Sequence, residues 1–155
     1  ADQISKVLIL EHLYEGQLDL IPGVFRFTYV ENDGMAFGWL SDHRWVFMVF
    51  SVVGIIAALA FLYYLARSGA RLASVALSLV SGGGIGNMID RVRLGFVVDF
   101  IDFRLINFAV FNVADIFLCV GVGMMMLYIL VMEPRIEKAK KEAAEDGNRL
   151  SDSDL

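Results

Sequence analysis

Cysteine occurs once in the 155 residues, and histidine and proline twice each. One thiol, Cys119, can build neither a disulfide framework nor a thiolate metal site. It lies in an apolar helix-like run, where it is expected to be a small buried hydrophobe. His12 and His43 stand alone at the flanks of apolar segments, with no second ligand at helical spacing, and are read as interfacial or structural. Without a histidine base, the Ser-His-Asp type of nucleophilic catalysis has no support. Positive charge is also short. Thirteen Lys and Arg against eighteen Asp and Glu give a formal net charge of −5, and the basic residues are scattered, which excludes a nucleic-acid-binding protein.

Apolar residues are abundant. They make up 57% of the chain, well above the roughly 45–50% of a soluble domain, so this is a membrane protein, read as one domain with a tail. Trp45–Ala66, "WVFMVFSVVGIIAALAFLYYLA", carries no charge. At about 1.5 Å per residue it crosses a hydrocarbon core of roughly 30 Å. Trp45 at one end and Tyr63 and Tyr64 at the other sit where aromatic belts form, and "RSGAR" then makes a short basic turn. Leu72–Ile89 returns, with Ser and Gly suited to close helix packing, notably glycines 82, 83, 84 and 86. A last span runs from Val113 to Met132 and is closed by Glu133-Pro134.

Between these spans, Asp90 to Asn112 is read as an interfacial loop. The opening "ADQISKVLILEHL" is helix-compatible but too short to span, and is read as a first helix lacking its beginning. No tripartite signal peptide is visible there. Tyr14 to Leu40 alternates in "VFRFTYV" and is punctuated by Pro22-Gly23 and Asn32-Asp33-Gly34, the pattern of a small β element. After Pro134 the chain is polar, helix-prone at first and then acidic and serine-rich, and is expected to fray into disorder. Arg67, Arg71, Arg135, Lys138, Lys140 and Lys141 share one side, which positive-inside counting makes cytoplasmic.

Asp90, Asp99 and Asp115 then fall near helix ends on the outer side, and Asp2 is placed to join them. An acid in a bilayer costs about 2.5–3.5 kcal/mol at mid-depth and less toward the interface, so such residues need partners or a task. Asp90 has Arg91 beside it; Asp99 and Asp115 have no adjacent cation. If those two approach, like charges in a low dielectric share one proton. The ionised carboxylate can then serve as base on a water, and the protonated one can donate to a scissile carbonyl. Helix capping by Asp99 and Asp115 is the plainer alternative and stays open on spacing alone. Asp2 and Lys6, four apart, face each other as a helical ion pair. Other classes are a small proton-coupled transporter or channel, which wants its acids near mid-span, and a structural scaffold in which the acids are replaceable.

The blocks "DQISK" (2–6), "NDGMAFG" (32–38), "GGGIGNMIDR" (82–91), "GFVVDFID" (95–102) and "FNVAD" (111–115) resemble, in order, those of the lipoprotein signal peptidase family, also called signal peptidase II. Met35 departs from the small residue more usual at its position. The resemblance implies a bacterial inner-membrane aspartic peptidase of four transmembrane helices, the first truncated here, with a small extracytoplasmic β platform. It implies cleavage of prolipoproteins just before a diacylglyceryl-modified cysteine. By the same matching, Asp99 and Asp115 are catalytic. Asn32, Gly34, Asn87, Asp90, Arg91, Asn112, Asp2 and Lys6 bind substrate or support the site, with Asp90-Arg91 as scaffold. No metal or organic cofactor is implied. The expected partners are prolipoproteins and membrane lipids, and the expected state is a monomer. Residues 1–132 would form the peptidase domain and 133–155 a polar cytoplasmic tail.

Overall fold

The structure is a computed structural model of the chain, described over residues 1–14, 16–34, 44–106, 108–139 and 141–142. Met35, His43 and the tail beyond residue 142 lie outside these residues. The chain runs α1 (Asp2–His12), β1 (Gln17–Ile21), β2 (Phe25–Asn32), α2 (Arg44–Ser68), α3 (Arg71–Arg93), β3 (Val97–Phe103), a single 3-10 turn (Arg104–Ile106) and α4 (Val113–Leu127).

Among the described residues three helical segments are long and apolar enough to cross a membrane: Met48–Ser68, Arg71–Arg93 and Val113–Ala139. The eleven-residue α1 is not one of them. Helix α2 is apolar on all sides, as lipid exposure demands, and it turns into α3 through Gly69, whose φ of +76° favours glycine. The next helix, α3, is the most enclosed of the three and packs chiefly on α4.

That packing brings backbones together. A Cβ on Gly83 would stand 2.5 Å from the Ala114 carbonyl oxygen, and one on Gly121 would stand 2.6 Å from that of Ala76. A Cβ on Gly84 would lie 3.2 Å from Ile55. Gly82, in contrast, faces open space, so it is not one of the close-approach glycines expected. Gly83→Ala should therefore cost about 1–3 kcal/mol by overpacking, whereas Gly82→Ala should be neutral or stabilise by up to about 1 kcal/mol through helix propensity. Thermal melts of the two variants in one detergent compare them directly.

The strands form a sheet in the order β1-β2-β3 with both pairs antiparallel. Pro22-Gly23 turns β1 into β2, with Gly23 at φ +75°. Phe25, Phe27 and Tyr29 pack on a cluster formed by Ile9, Val98, Phe100 and Ile101, so α1 and the sheet share one core. A bulge between Phe27 and Val30 re-aims the end of β2, and Val30 pairs with Asp99.

Three sequence expectations are corrected. The stretch read as a loop from Asp90 to Asn112 holds the end of α3, with Asp90 inside the helix, and then all of β3. Six of the seven β3 residues are buried, so the strand has no polar-apolar alternation to betray it. The last span does not stop at Met132. A π-helical segment, Tyr128–Met132, leads on to Ala139 through Pro134, and this wider turn falls where a proline would otherwise break the regular ladder. Finally, Cys119 is exposed on α4, not buried.

Candidate active site

The site forms at one end of the helix bundle, where α3 finishes, α4 begins and β2 and β3 meet α1. Asn112, fully buried, is the N-cap of α4. Its side-chain oxygen accepts from the backbone N–H of Asp115 at 3.1 Å, and a carboxylate oxygen of Asp115 accepts from the N–H of Asn112 at 3.1 Å. This reciprocal capping box fixes both residues. The capping alternative thus holds for Asp115 in part, as the third residue of the helix and the partner of the N-cap in the box. It fails for Asp99, which lies on β3 and caps no helix.

Asn112 also reaches the other acid. Its Nδ2 donates to Asp99 Oδ1 at 2.6 Å and to Asn87 Oδ1 at 3.1 Å. Asn32, at the end of β2, donates to Asp99 Oδ2 at 2.7 Å, while Asn87 Nδ2 donates to Asp115 Oδ1 at 2.8 Å. One asparagine therefore bonds to both carboxyls, and each of the four carboxyl oxygens has an amide donor. Asp99 is 1% exposed. Burial pushes its carboxyl up to about 6, and the charge of Asp115 acts in the same direction. The amides of Asn32 and Asn112, and more distantly Lys6, pull the other way. Gly34 stays exposed and donates its N–H to Asn32 Oδ1 at 2.9 Å, which orients that amide.

Behind the asparagines lies a buried ionic cluster. Lys6 Nζ, on a side chain 2% exposed, lies 3.1 Å from Asp2, 2.8 Å from Asp90 and 2.8 Å from Asn87 Oδ1. All three ammonium protons thus have an acceptor. Asp2 additionally accepts from the Ala114 N–H at 2.9 Å, tying α1 to the start of α4. It does so across Gly86, where a Cβ would stand 2.6 Å from its carboxylate. Asp90 accepts from Gln3 at 2.8 Å and from the Val98 N–H at 3.1 Å.

The sequence suggested Arg91 as the partner of Asp90, and this is corrected: the cation is Lys6. Arg91 instead reaches the Asn87 carbonyl at 3.5 Å and lines a cavity of about 440 Å³ with Asn87, Asp115, Ser81, Gly84 and, from α2, Ser51. Gln3 and Ser81 were not anticipated. A polar residue beside Asp2 in a short apolar helix was the only hint of the first, and a serine on the Asn87 face of α3 the only hint of the second. Among the described residues no group of three or more His, Cys, Asp or Glu side chains is placed to hold a metal ion.

A family model described as signal peptidase (SPase) II matches residues 1–131. The chain belongs to this family. It is therefore a membrane-embedded peptidase. The lipoprotein signal peptidase of Clostridioides difficile (strain 630) is 43% identical over 136 residues, covering 86% of this chain and 90% of that protein. That of Brevibacillus brevis is 44% identical over 131 residues, covering 84% and 87%. A solved bacterial membrane enzyme superposes with a TM-score of 0.69 at 35% identity, covering 83% of this peptidase and 80% of that chain.

Proposed function

We propose that this peptidase removes signal peptides from bacterial prolipoproteins, cutting before a diacylglyceryl-modified cysteine with Asp99 and Asp115 as an aspartic dyad and an activated water. The observation that carries the reading is Asn112, which bonds to both acids at once and so holds the two carboxyls in one fixed frame. Asp99, whose proton is held up to about 6, is the member that takes the shared proton and donates to the scissile carbonyl. Asp115 polarises the water. The other buried acids, Asp2, Asp90 and Asp102, are committed to Lys6, Arg26 or backbone donors, so they frame the dyad without joining it.

Both acids lie at one end of the bundle, beside the sheet, which supports cleavage at the membrane surface over a proton relay at mid-span. The opposite end carries Arg67, Arg71, Arg135, Lys138 and Lys141, the side retained in the cytoplasm. The site then faces outward across the inner membrane, with α1 belonging to a fourth span and the sheet as a platform for extended substrate. A single chain supplies every member of the network, so a monomer suffices. Residues 1–132 carry the activity and the remainder is a tail. Incubating the enzyme in detergent with a synthetic diacylglyceryl-cysteine prolipoprotein peptide and mapping the products by mass tests the proposal. One cut, directly before the lipidated cysteine, is expected; a cut elsewhere or none would sink it.

The dyad also sets the pH response. Loss of the Asp99 proton defines the basic limb of kcat/KM, expected near pH 6. Asn32→Ala removes a donor that favours the ionised carboxylate, so the Asp99 proton persists to higher pH. The basic limb should move upward, by roughly half a unit to one unit. A pH-rate profile of the variant checks this; an unmoved or lowered limb contradicts it.

A further inference from the structure

The described serines divide into two groups. Ser5, Ser68, Ser74 and Ser78 each donate their hydroxyl to a backbone carbonyl three or four residues back in the chain, the usual way a helical serine satisfies itself. The hydroxyls of Ser51 and Ser81 make no hydrogen bond among the described residues, and both side chains line the cavity that holds Asp115, Asn87 and Arg91. Ser81 is the sharper case. Its residue is 3% exposed, and its Oγ is the one buried side-chain polar atom among the described residues without a partner. An orphaned buried hydroxyl costs about 1–3 kcal/mol. Its own carbonyl four residues back would have relieved that cost, as it does for Ser74 and Ser78.

The walls around these hydroxyls narrow what can enter. Gly54, Ala58 and Gly84 keep the cavity open between α2 and α3, and Ile55, Val80 and Leu118 make the rest of it apolar. This suits a chain with small apolar side chains and a polar backbone. Ser81, Gly84, Asn87 and Arg91 follow one face of α3, so Ser81 lies six residues, or about 9 Å, deeper along the helix than Asn87. An extended peptide covers that distance in about three residues.

We infer that the cavity is a subsite for the signal-peptide side of the substrate, in which the Ser81 hydroxyl donates to a main-chain carbonyl about three residues before the scissile bond. Ser51 donates nearer the acids. This rests on the peptidase reading above and adds two positioning residues to it. The hydroxyls read backbone, not side chains, so they fix the register of the peptide against the dyad while tolerating varied sequences.

The test compares wild type, Ser81→Ala and Ser51→Ala on two lipidated peptides, one natural and one with an alkene isostere replacing the peptide bond three residues before the cut. On the natural peptide, Ser81→Ala should raise KM roughly three- to tenfold with kcat within about twofold, and the melting temperature of the free enzyme should stay level or rise. The isostere should weaken wild type by a similar factor and leave Ser81→Ala with no further loss. An unchanged KM in Ser81→Ala overturns the inference, as does an equal isostere penalty in wild type and variant, the outcome if Ser81 only holds a water. A Ser81 dependence that vanishes with dialkyl-ether lipid instead, pointing to the lipid esters as acceptors, overturns it too. Binding of the fluorescently labelled peptide to Asp99→Asn needs no turnover, so it reads the cavity separately. Weakening there on adding Ser81→Ala supports the subsite even if the dyad assignment fails.

Discussion

Asp99→Asn and Asp115→Asn should each lower kcat/KM for the lipidated peptide by about four orders of magnitude, a range familiar for removal of an essential catalytic group, while both variants remain folded. The double variant should be little worse than either single one, because the pair acts as a unit. A residual rate within tenfold of wild type for either variant would remove that residue from the chemistry. Asp99→Asn carries a second signature. The native state holds the Asp99 proton up to about 6, above its ordinary 3.8, so between those values the folded chain binds more protons than the unfolded one. The Asp99 contribution to wild-type stability then falls as pH rises from about 4 to about 6 and levels off above, by at most about 3 kcal/mol. The amide of the Asp99→Asn variant has no proton to lose, so the variant's melting temperature relative to wild type should climb through that window. There is a constant offset as well. Asn112 and Asn32 both donate to this side chain, and an amide can accept from only one of them without a flip of the other. A pH series of melts separates the two effects.

Lys6→Met should give the largest loss of stability, about 3–5 kcal/mol. It keeps the length of the stem, so packing is retained, and removes the one cation shared by Asp2 and Asp90. Two buried carboxylates then face each other with only neutral donors. The same substitution in an Asp2→Asn, Asp90→Asn background should cost far less, since removing a whole buried ionic group is often tolerated where removing one member is not. Denaturation in detergent measures both, and equal losses in the two backgrounds would show that Lys6 acts through packing. Because Lys6 also holds the Asn87 oxygen at 2.8 Å, and Asn87 holds Asp115, activity should fall along with stability.

The spans were legible because uniform apolarity over twenty residues has few other meanings. Asp99 and Asp115 could be singled out as candidates because a carboxyl in apolar surroundings demands an explanation, and the structure brings both to Asn112. What could not be read was who pairs with whom. Asp90 was matched to Arg91 by adjacency, yet neighbouring positions in a helix point in different directions, and the true cation, Lys6, belongs to the first helix of the chain. No local pattern announces such a bond. Strand β3 was hidden for the opposite reason: buried on both faces, "VVDFIDF" has no alternation, and its charged residues suggested a loop. Asp102 is accommodated there by Arg26 of β2, at 2.6 Å. Asp2 and Lys6 were read correctly as facing each other, since spacing of four suffices for that. Their joint role in docking α1 on α3 and α4 needed coordinates.

The bond between Asp2 and the backbone of Ala114 spans 112 residues, so it can form only once the start of α4 has been made. A chain emerging from the ribosome carries Asp2 and Lys6 early, but the Asp90 carboxylate is made much later, and Asp99, Asn112 and Asp115 later still. Until α4 is in place, Asp99 lacks the amide of Asn112, Asp115 has no place, and Asp2 lacks the Ala114 N–H that ties α1 to α4. If Asp99 and Asp115 are the dyad, a chain made only as far as β3 has no competent site. On the dyad reading, activity is completed only when α4 joins the segments made before it.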